Sequence, residues 1–500
     1  MTFNSLQFLL VYLPICYAGF LLVHRGLGWR GVYAYLSLAS VVFYAFFSLT
    51  LACILIGSIA ANFFFARAIV SAERQSIRNW IAGFAITANL AALGYFKYAN
   101  FFIDIANDVG VAGGGHLDLI APIGISFYTF TQIGYLLEAA ARRTEQISLS
   151  RYALFAGFFP CVTAGPLLMQ RDFLSQTLGR TDRAFTPTRV AIGLTMFGIG
   201  LAKKVIIADS IAPHADVVFD GVAAGGAVAM TEAWIGSLSY TLQLYFDFSG
   251  YSDMAIGIAF LFGFKLPLNF NSPFKAVSIS DFWNRWHMTM TRFFTNFLYT
   301  HMAMRNSRRA VQKGYGRLHK WMIAGAAPIF YTFVVAGVWH GAGWTFVVYG
   351  VIHGLALAVN HGWREWSLPA PPPLIGWAMT MFVVVTGLTV FRAPDLAVAT
   401  EMLLAMWGVS SVESAYVRVD IGTAVAMIAV GAAIVLTLPN SQEILRSHWI
   451  SSDAEPTKVS PSARVIRWAP NIGWAIAVAT LIVLSTASIE DGVGFLYYDF

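Results

Sequence analysis

The sequence is poor in charged residues. Asp, Glu, Lys and Arg together make up 12% of the 500 residues, whereas apolar residues make up 57%. This balance excludes the usual division of such a length into several soluble domains, because no stretch of mixed polar composition is long enough to form one. It predicts a membrane protein with many spans.

Several patterns of well-defined chemistry are also absent. The three cysteines, Cys16, Cys53 and Cys161, lie in apolar runs, which suits buried free thiols better than a disulfide or metal framework. No His, Cys, Asp or Glu spacing is typical of a metal site, and no Gly-rich loop is followed by Lys-Ser or Lys-Thr. We therefore expect no metal and no tightly bound cofactor, and an ATP-driven pump is disfavoured.

Apolar runs of about 20 residues, the length that crosses a hydrocarbon core of about 30 Å, recur throughout the chain. We predict an all-α, polytopic integral membrane protein with about 11–13 transmembrane or re-entrant helices. A single membrane-embedded domain is expected over residues 1–500, with a core at about 119–361 and flanking helices in 1–118 and 362–500. A shorter apolar run lies at 251–264. The predicted spans are 4–23, 32–48, 50–69, 80–103, 119–140, 152–170, 189–207, 229–248, 321–339, 343–361, 374–391, 421–438 and 468–486.

The formal net charge is +6, and the basic residues sit in short loops between apolar runs. This distribution follows the positive-inside rule and gives no reason to expect a nucleic-acid partner. It predicts that the N-terminus and the tail at Phe500 lie outside, together with the acidic segments 208–228 and 392–420. The segments 305–320 and 439–467 are then cytoplasmic.

The segment 305–320 is the densest basic cluster. It holds Arg305, Arg308, Arg309, Lys313, Arg317 and Lys320. Two interpretations are equally open: a topology determinant that touches anionic lipid head groups, or a docking surface for an acidic carrier or cofactor.

Two stretches are predicted to interrupt the spanning pattern. The segment 152–170, with Pro160 and Pro166, and the short run 251–264 are candidates for broken or re-entrant pieces. The stretch Tyr245 to Asp253 concentrates two carboxylates, two serines and four aromatic residues in nine positions. Such aspartates can bind a cation, act as acid and base, or cap a helix, and for Asp253 capping is favoured.

An amphipathic helix is predicted from Ser280 to Phe294, capped by Ser280 or Asp281, at a membrane interface or lining a cavity. Its apolar face would carry Trp283, Trp286, Met290, Phe293 and Phe294. Its polar side would carry Asp281, Asn284, Arg285, His287 and Arg292.

A second stretch, Gly337 to Leu355, places Trp339, His340, Trp344 and His353 in a predicted membrane-buried segment. An imidazole in hydrocarbon is costly unless it faces a polar cavity, so it marks a candidate functional site. A single His on an apolar helix is more often structural. The flanking glycines, the adjacent indoles and the second candidate upstream favour a site at His340, whereas His353 is favoured as structural.

These stretches together resemble the membrane-bound O-acyltransferase (MBOAT) family, in its bacterial alginate O-acetyltransferase branch. The resemblance is carried by DFWNRWHMTMTRFF (281–294) and WHGAGWTFVVYGVIHG (339–354). It extends over LIAPIGISFYTFTQIGYLLE (119–138), FFPCVTAGPLLMQRDF (158–173), YFDFSGYSDMAIGIAFLFGFKLPLNFNSPF (245–274) and the closing FLYYDF (495–500).

The resemblance implies a fold that encloses a central tunnel and an enzyme that moves an acyl group from a thioester to a hydroxyl. The family's invariant His falls on His340, which implies a general base, and its second functional His falls on His287. Asn284, Arg285, Trp339 and Trp344 are the candidate substrate-binding residues around this catalytic pair.

The implied donor is acetyl-CoA or an acyl-carrier thioester, and the implied acceptor is an exopolysaccharide beyond the bacterial inner membrane, with a periplasmic acetyltransferase partner. Three alternatives stay open. They are carrier-dependent transfer of another small acyl group such as D-alanine, a transporter, and a scaffold subunit of an export complex. A transporter predicts broken helices or paired carboxylates in two corresponding halves, and no such symmetry is visible.

Overall fold

The computed structural model describes residues 1–111, 113–180, 182, 185–409, 419–448, 450–453, 462–489 and 494–498. Within these ranges the chain is helical, and its only β contact is an isolated bridge between Leu266 and Ser451. The predicted all-α class is therefore confirmed.

Six helical elements are long and apolar enough to cross a membrane, which makes this a multi-pass membrane protein. They are Phe8–Ala45, Leu49–Ser71, Pro187–Ala223, Arg317–His340, Trp344–Glu365 and Pro373–Arg392. Three shorter apolar helices are Leu396–Met406, Ile421–Thr437 and Ile472–Ala487. The remaining longer helices are Gln75–Leu93, Ala99–Asp108, Ile125–Ala140, Met230–Leu261 and Thr300–Gln312.

The first of these elements folds back on itself at Gly28, whose φ of 60° suits glycine best. The Tyr12 hydroxyl donates to the Ala39 carbonyl oxygen at 2.7 Å, so the two halves run antiparallel. The two spans predicted at 4–23 and 32–48 are therefore both present.

The segment predicted at 152–170 is broken, as expected from its prolines. It consists of the short helices Leu149–Gly157 and Phe159–Val162, followed by an irregular stretch up to the helical turn Gln170–Phe173. This whole stretch is largely buried in protein, where irregular backbone at membrane depth is tolerated.

The prediction of a break near residue 250 is wrong, because a single buried helix runs from Met230 to Leu261. Asp253 lies inside this helix and does not cap another one. Its carboxylate is 2.6 Å from the Lys203 ammonium and also accepts a hydrogen bond from Ser441 at 2.7 Å. The partners are distant in sequence, so the local pattern gave no sign of them.

The second aspartate of the cluster is paired in the same way. Asp247 lies 2.5 Å from Lys204, which also binds Asp209 at 2.8 Å and the Gly494 carbonyl oxygen at 2.7 Å. Buried charges persist when they are paired and hydrogen-bonded. The two aspartates thus join Met230–Leu261, the central helix, to the neighbouring helical element Pro187–Ala223 and to the C-terminal segment 494–498.

The neighbouring helical element extends to Ala223, so the segment predicted as the outside loop 208–228 is mostly helix. It packs closely against the central helix where its Gly200 meets Gly250 of that helix. A Cβ at Gly250 would lie 2.7 Å from the Gly200 carbonyl oxygen, which is too close for any side chain. These glycines serve helix packing.

Arg317–His340 and Trp344–Glu365 form an antiparallel pair. Their far ends meet where Arg317 lies 3.8 Å from Glu365. Gly337 lies against the backbone of Trp344–Glu365, so this glycine permits close contact between the two helices. At about 1.5 Å per residue, the 24 residues of the first helix separate His340 from Arg317 by about the thickness of a membrane.

Candidate active site

His340 is the last residue of its helix and is buried, with 6% of its surface exposed. Its ring lies edge-on to Phe391 at a centroid distance of 5.3 Å and to Tyr349 at 6.0 Å. The structure therefore places this imidazole inside the helix bundle, at the point where the chain leaves the helix.

His287 lies at a break that the sequence did not predict. The expected single amphipathic helix is instead two short helices, Ile279–Trp283 and Met288–Phe294, and the first is capped by Ser278. His287 has φ 44° and ψ 49°, a left-handed conformation that is uncommon for residues other than glycine. Strained backbone of this kind is frequent at functional sites.

Asn269 orients the His287 ring. Its Oδ1 atom lies 3.0 Å from His287 Nδ1 and also accepts from the Thr289 hydroxyl at 2.9 Å, while its amide nitrogen donates to Ser252 at 3.2 Å. Because this network makes Asn269 Oδ1 an acceptor, Nδ1 of a neutral His287 is assigned as the protonated nitrogen. Its Nε2 atom then carries the lone pair.

The two histidines are neighbours, although 53 positions separate them in sequence. Their ring centroids are 6.2 Å apart. The buried Trp339 indole lies beside both, 5.0 Å from the His340 ring and 5.9 Å from the His287 ring. The structure thus brings together three of the six residues selected from the sequence.

The other three are more distant from this pair. Asn284 is exposed and lines a cavity next to the His287 segment. Arg285 pairs with Asp281 at 2.8 Å and holds the turn before His287. Trp344 is 51% exposed and its ring contacts Phe101, so it lies apart from the histidines.

His353 is fully buried and shares the neighbour Tyr349 with His340. The Trp283 indole nitrogen donates to its Nδ1 atom at 3.3 Å, and its ring lies 4.6 Å from that of Tyr349. This arrangement joins two helices and is compatible with the structural role predicted for His353.

Sequence reasoning missed Lys97. Its ammonium donates to the carbonyl oxygens of Trp339 at 2.9 Å and His340 at 2.8 Å, and lies 3.3 Å from the Ser126 hydroxyl. A lone lysine in the apolar span predicted at 80–103 was the available signal, since intramembrane charges are rarely without a partner.

A cavity of about 360 Å³ adjoins the end of the His340 helix. Polar groups of Lys97, Ser126, Thr163 and Tyr498 line it, beside Trp339. No acidic residue lines it among the described residues. Among the described residues that line this cavity, Lys97 is the one basic side chain.

A second cavity, of about 290 Å³, adjoins the His287 segment and is lined by Asn284, Met288 and Arg292. Arg292 bridges Asp172 at 2.6 Å and Asp453 at 3.0 Å. Burial raises the pKa of the Asp172 carboxyl, although the Arg292 guanidinium opposes that rise. The two cavities share no lining residue, so the central tunnel stays a prediction.

Within the described ranges, no group of three or more His, Cys, Asp or Glu side chains is arranged to hold a metal ion. The helices define a multi-pass membrane protein, and the two histidines form a buried pair among its helices. Residues 135–400 match the family model described as MBOAT, membrane-bound O-acyltransferase family. The chain belongs to this family and is an O-acyltransferase, as the motifs indicated.

Named relatives match this chain over different lengths. A peptidoglycan O-acetyltransferase of Helicobacter pylori is 34% identical over 82% of this chain and 80% of its own length. A probable alginate O-acetylase of Pseudomonas putida is 32% identical over 100% of both chains. A teichoic acid D-alanyltransferase of Bacillus subtilis is 30% identical over 45% of this chain and 55% of its own length.

Proposed function

We propose that this protein transfers an acetyl group from a thioester donor, across the bacterial inner membrane, to hydroxyl groups of an envelope or exported polysaccharide. The observation that carries the proposal is the buried pair His340 and His287, with ring centroids 6.2 Å apart, in a chain of this family. The acetyl group and the glycan acceptor are supported by the relatives named for O-acetylation of peptidoglycan and alginate.

In this proposal His340 is the general base. Its ring takes the proton of the acceptor hydroxyl as that oxygen attacks the thioester carbonyl carbon. The carbon–sulfur bond then breaks, and the leaving thiolate receives the proton from the imidazolium. Positioned acid–base groups of this kind contribute about 10²–10⁴-fold in rate.

His287 is assigned a positioning role at the thioester. Its Nδ1 atom is held by Asn269, so the ring presents the Nε2 edge. The cavity beside Asn284 and Arg292 is assigned to the donor arm, and the cavity beside Lys97 and Trp339 to the acceptor. The two reactants would then approach the histidines from separate cavities.

The donor is proposed to arrive from the cytoplasm as acetyl-CoA or an acyl-carrier thioester. The helix Thr300–Gln312 continues through a π-helical turn from Thr295 and Asn296, which line the proposed donor cavity. Its basic side chains are exposed, so they are available to a negatively charged donor.

A periplasmic acetyltransferase partner is proposed to receive the group or to complete the transfer.

A second candidate is carrier-dependent transfer of D-alanine or another small acyl group. It is favoured by the relative named for D-alanylation and by the basic helix, which suits an acidic carrier protein. That relative matches less than half of this chain, so acetyl transfer is preferred.

Acyl transfer by the purified protein in lipid vesicles tests the proposal. Labelled acetyl and D-alanyl thioesters would be supplied with a glycan acceptor, and ester-linked label on the glycan would be measured. We expect acetyl ester to form. Formation of D-alanyl ester alone would select the second candidate, and movement of glycan without esterification would support a transporter.

A further inference from the structure

The helix that carries Trp339 and His340 ends abruptly. The next residue, Gly341, is extended, with φ −161° and ψ 160°. The last carbonyl groups of a helix have no partner within it, and they carry partial negative charge. Something outside the helix must therefore satisfy them in a buried site.

Two consecutive side chains from another helix supply the missing donors. The Tyr98 hydroxyl donates to the Val338 carbonyl oxygen at 2.6 Å. Lys97 donates to the carbonyl oxygens of Trp339 and His340 at 2.9 and 2.8 Å. Three successive carbonyls at the helix end are thus held by one dipeptide.

The local structure explains how both side chains reach the same helix end. Gly94–Tyr98 forms a π-helical turn between Gln75–Leu93 and Ala99–Asp108. Such a turn contains more residues than an α-helical turn, and it changes the direction of the side chains that follow. π-helical turns are frequent at functional sites.

We propose that Lys97 is a positioning residue for acyl transfer, which fixes the backbone of His340 and thereby aims its imidazole. This inference rests on the proposed function, in which His340 is the base. An ammonium group has three hydrogens. The three acceptors around it, on Ser126, Trp339 and His340, account for all of them, so Lys97 holds the protein and not the substrate.

The charge of Lys97 suits this role better than a neutral donor would. A cation at the C-terminal end of a helix is attracted by the partial negative charge there, and this attraction is strongest where water is excluded. Because a misplacement of about 1 Å in an active site can cost about 10²-fold in rate, loss of this contact should affect the chemical step.

The test compares purified Lys97→Met and Lys97→Arg with wild type, with donor and acceptor concentrations varied separately. For Lys97→Met we expect kcat to fall about 10²-fold, with the KM for the donor unchanged, because the donor is assigned to the other cavity. Lys97→Arg keeps the charge and should recover part of the loss. Lys275→Met is the matched control, since Lys275 donates to the carbonyl oxygen of Leu438 at the end of a different helix.

An unchanged kcat per folded Lys97→Met molecule, with only a lower melting temperature, would overturn the inference and leave a purely structural lysine. The same conclusion would follow if Lys275→Met lost as much activity. If Lys97→Met does not accumulate, Lys97→Gln decides: a reduced kcat with an unchanged donor KM supports the inference, and a wild-type kcat refutes it. His340→Ala is assayed in parallel to separate failure of this inference from failure of the proposed function. An active His340→Ala protein would refute the proposed function itself.

Discussion

At the scale of single residues, the candidate site contains side chains that hold the two histidines as well as the histidines themselves. Asn269 contacts His287, and Lys97 contacts the backbone of His340. Neither belongs to the motif that contains the histidine it serves. Motif reading selected the two histidines because their residue type is distinctive in an apolar segment. It missed their supports because these come from elements distant in sequence.

Asn269→Leu should lower acyl transfer per inserted molecule by about 10²-fold, because the His287 ring would lose the acceptor that fixes its orientation and tautomer. The measurement is the initial rate with purified protein. Ser252→Ala is the matched control, since it removes the acceptor of the Asn269 amide nitrogen and leaves the contact of Asn269 Oδ1 with His287. Equal losses in the two variants would assign Asn269 to packing alone.

At the scale of elements, sequence periodicity predicted most spans but not the breaks and continuities that build the site. The helix Met230–Leu261 looked interrupted because aspartates and serines crowd its middle. It continues because Lys203 and Lys204 of the neighbouring helix neutralise those aspartates. The segment 280–294 looked continuous, yet it breaks at His287, whose backbone conformation has no sequence signature.

The basic cluster 305–320 yields a prediction at this scale. Arg305, Arg308 and Arg309 on Thr300–Gln312, and Lys313 directly after this helix, are exposed and form no ion pair within the part of the chain that the structure describes. Neutralising Arg308, Arg309 and Lys313 together should weaken use of a negatively charged donor several-fold at low ionic strength, through loss of Coulomb attraction.

The measurement is the donor KM as a function of salt. The donor KM of the wild type should rise with salt towards the KM of the variant, because screening removes the same Coulomb attraction. Arg25→Gln with Arg30→Gln is the matched control, since both arginines are exposed on another element. Unchanged donor dependence in the triple variant, with reduced binding to anionic vesicles, would assign the cluster to lipid contact.

At the scale of the whole molecule, side chains join segments that are distant in sequence. Gln170 donates to the Arg143 carbonyl oxygen, and Arg292 joins Asp172 to Asp453, so the segments around residues 143, 172 and 453 lie together. The single-domain division and the orientation stay predictions. Phe500, expected outside, lies beyond the described residues.

Cysteine labelling tests the orientation. In a background without Cys53, the exposed native cysteine, a cysteine at Arg309 should react with an impermeant thiol reagent only after the inner membrane is opened. A cysteine at Asp118 should react in intact spheroplasts, because four predicted spans separate this segment from the N-terminus and both then lie outside. The opposite pattern at both positions would mean that the topology derived from basic residues is inverted.

The central claim is that His340 is the base for acylation of a glycan hydroxyl, and the most direct test is the O-acetyl content of polysaccharide from a deletion strain carrying each variant, normalised to inserted protein. We predict that His340→Ala abolishes O-acetylation while the protein still accumulates, and that His287→Ala impairs it severely. His353→Ala, which loses the contact with Trp283, should lower abundance more than activity per molecule. Normally acetylated polymer from the His340→Ala strain would contradict the account and favour a transporter or scaffold.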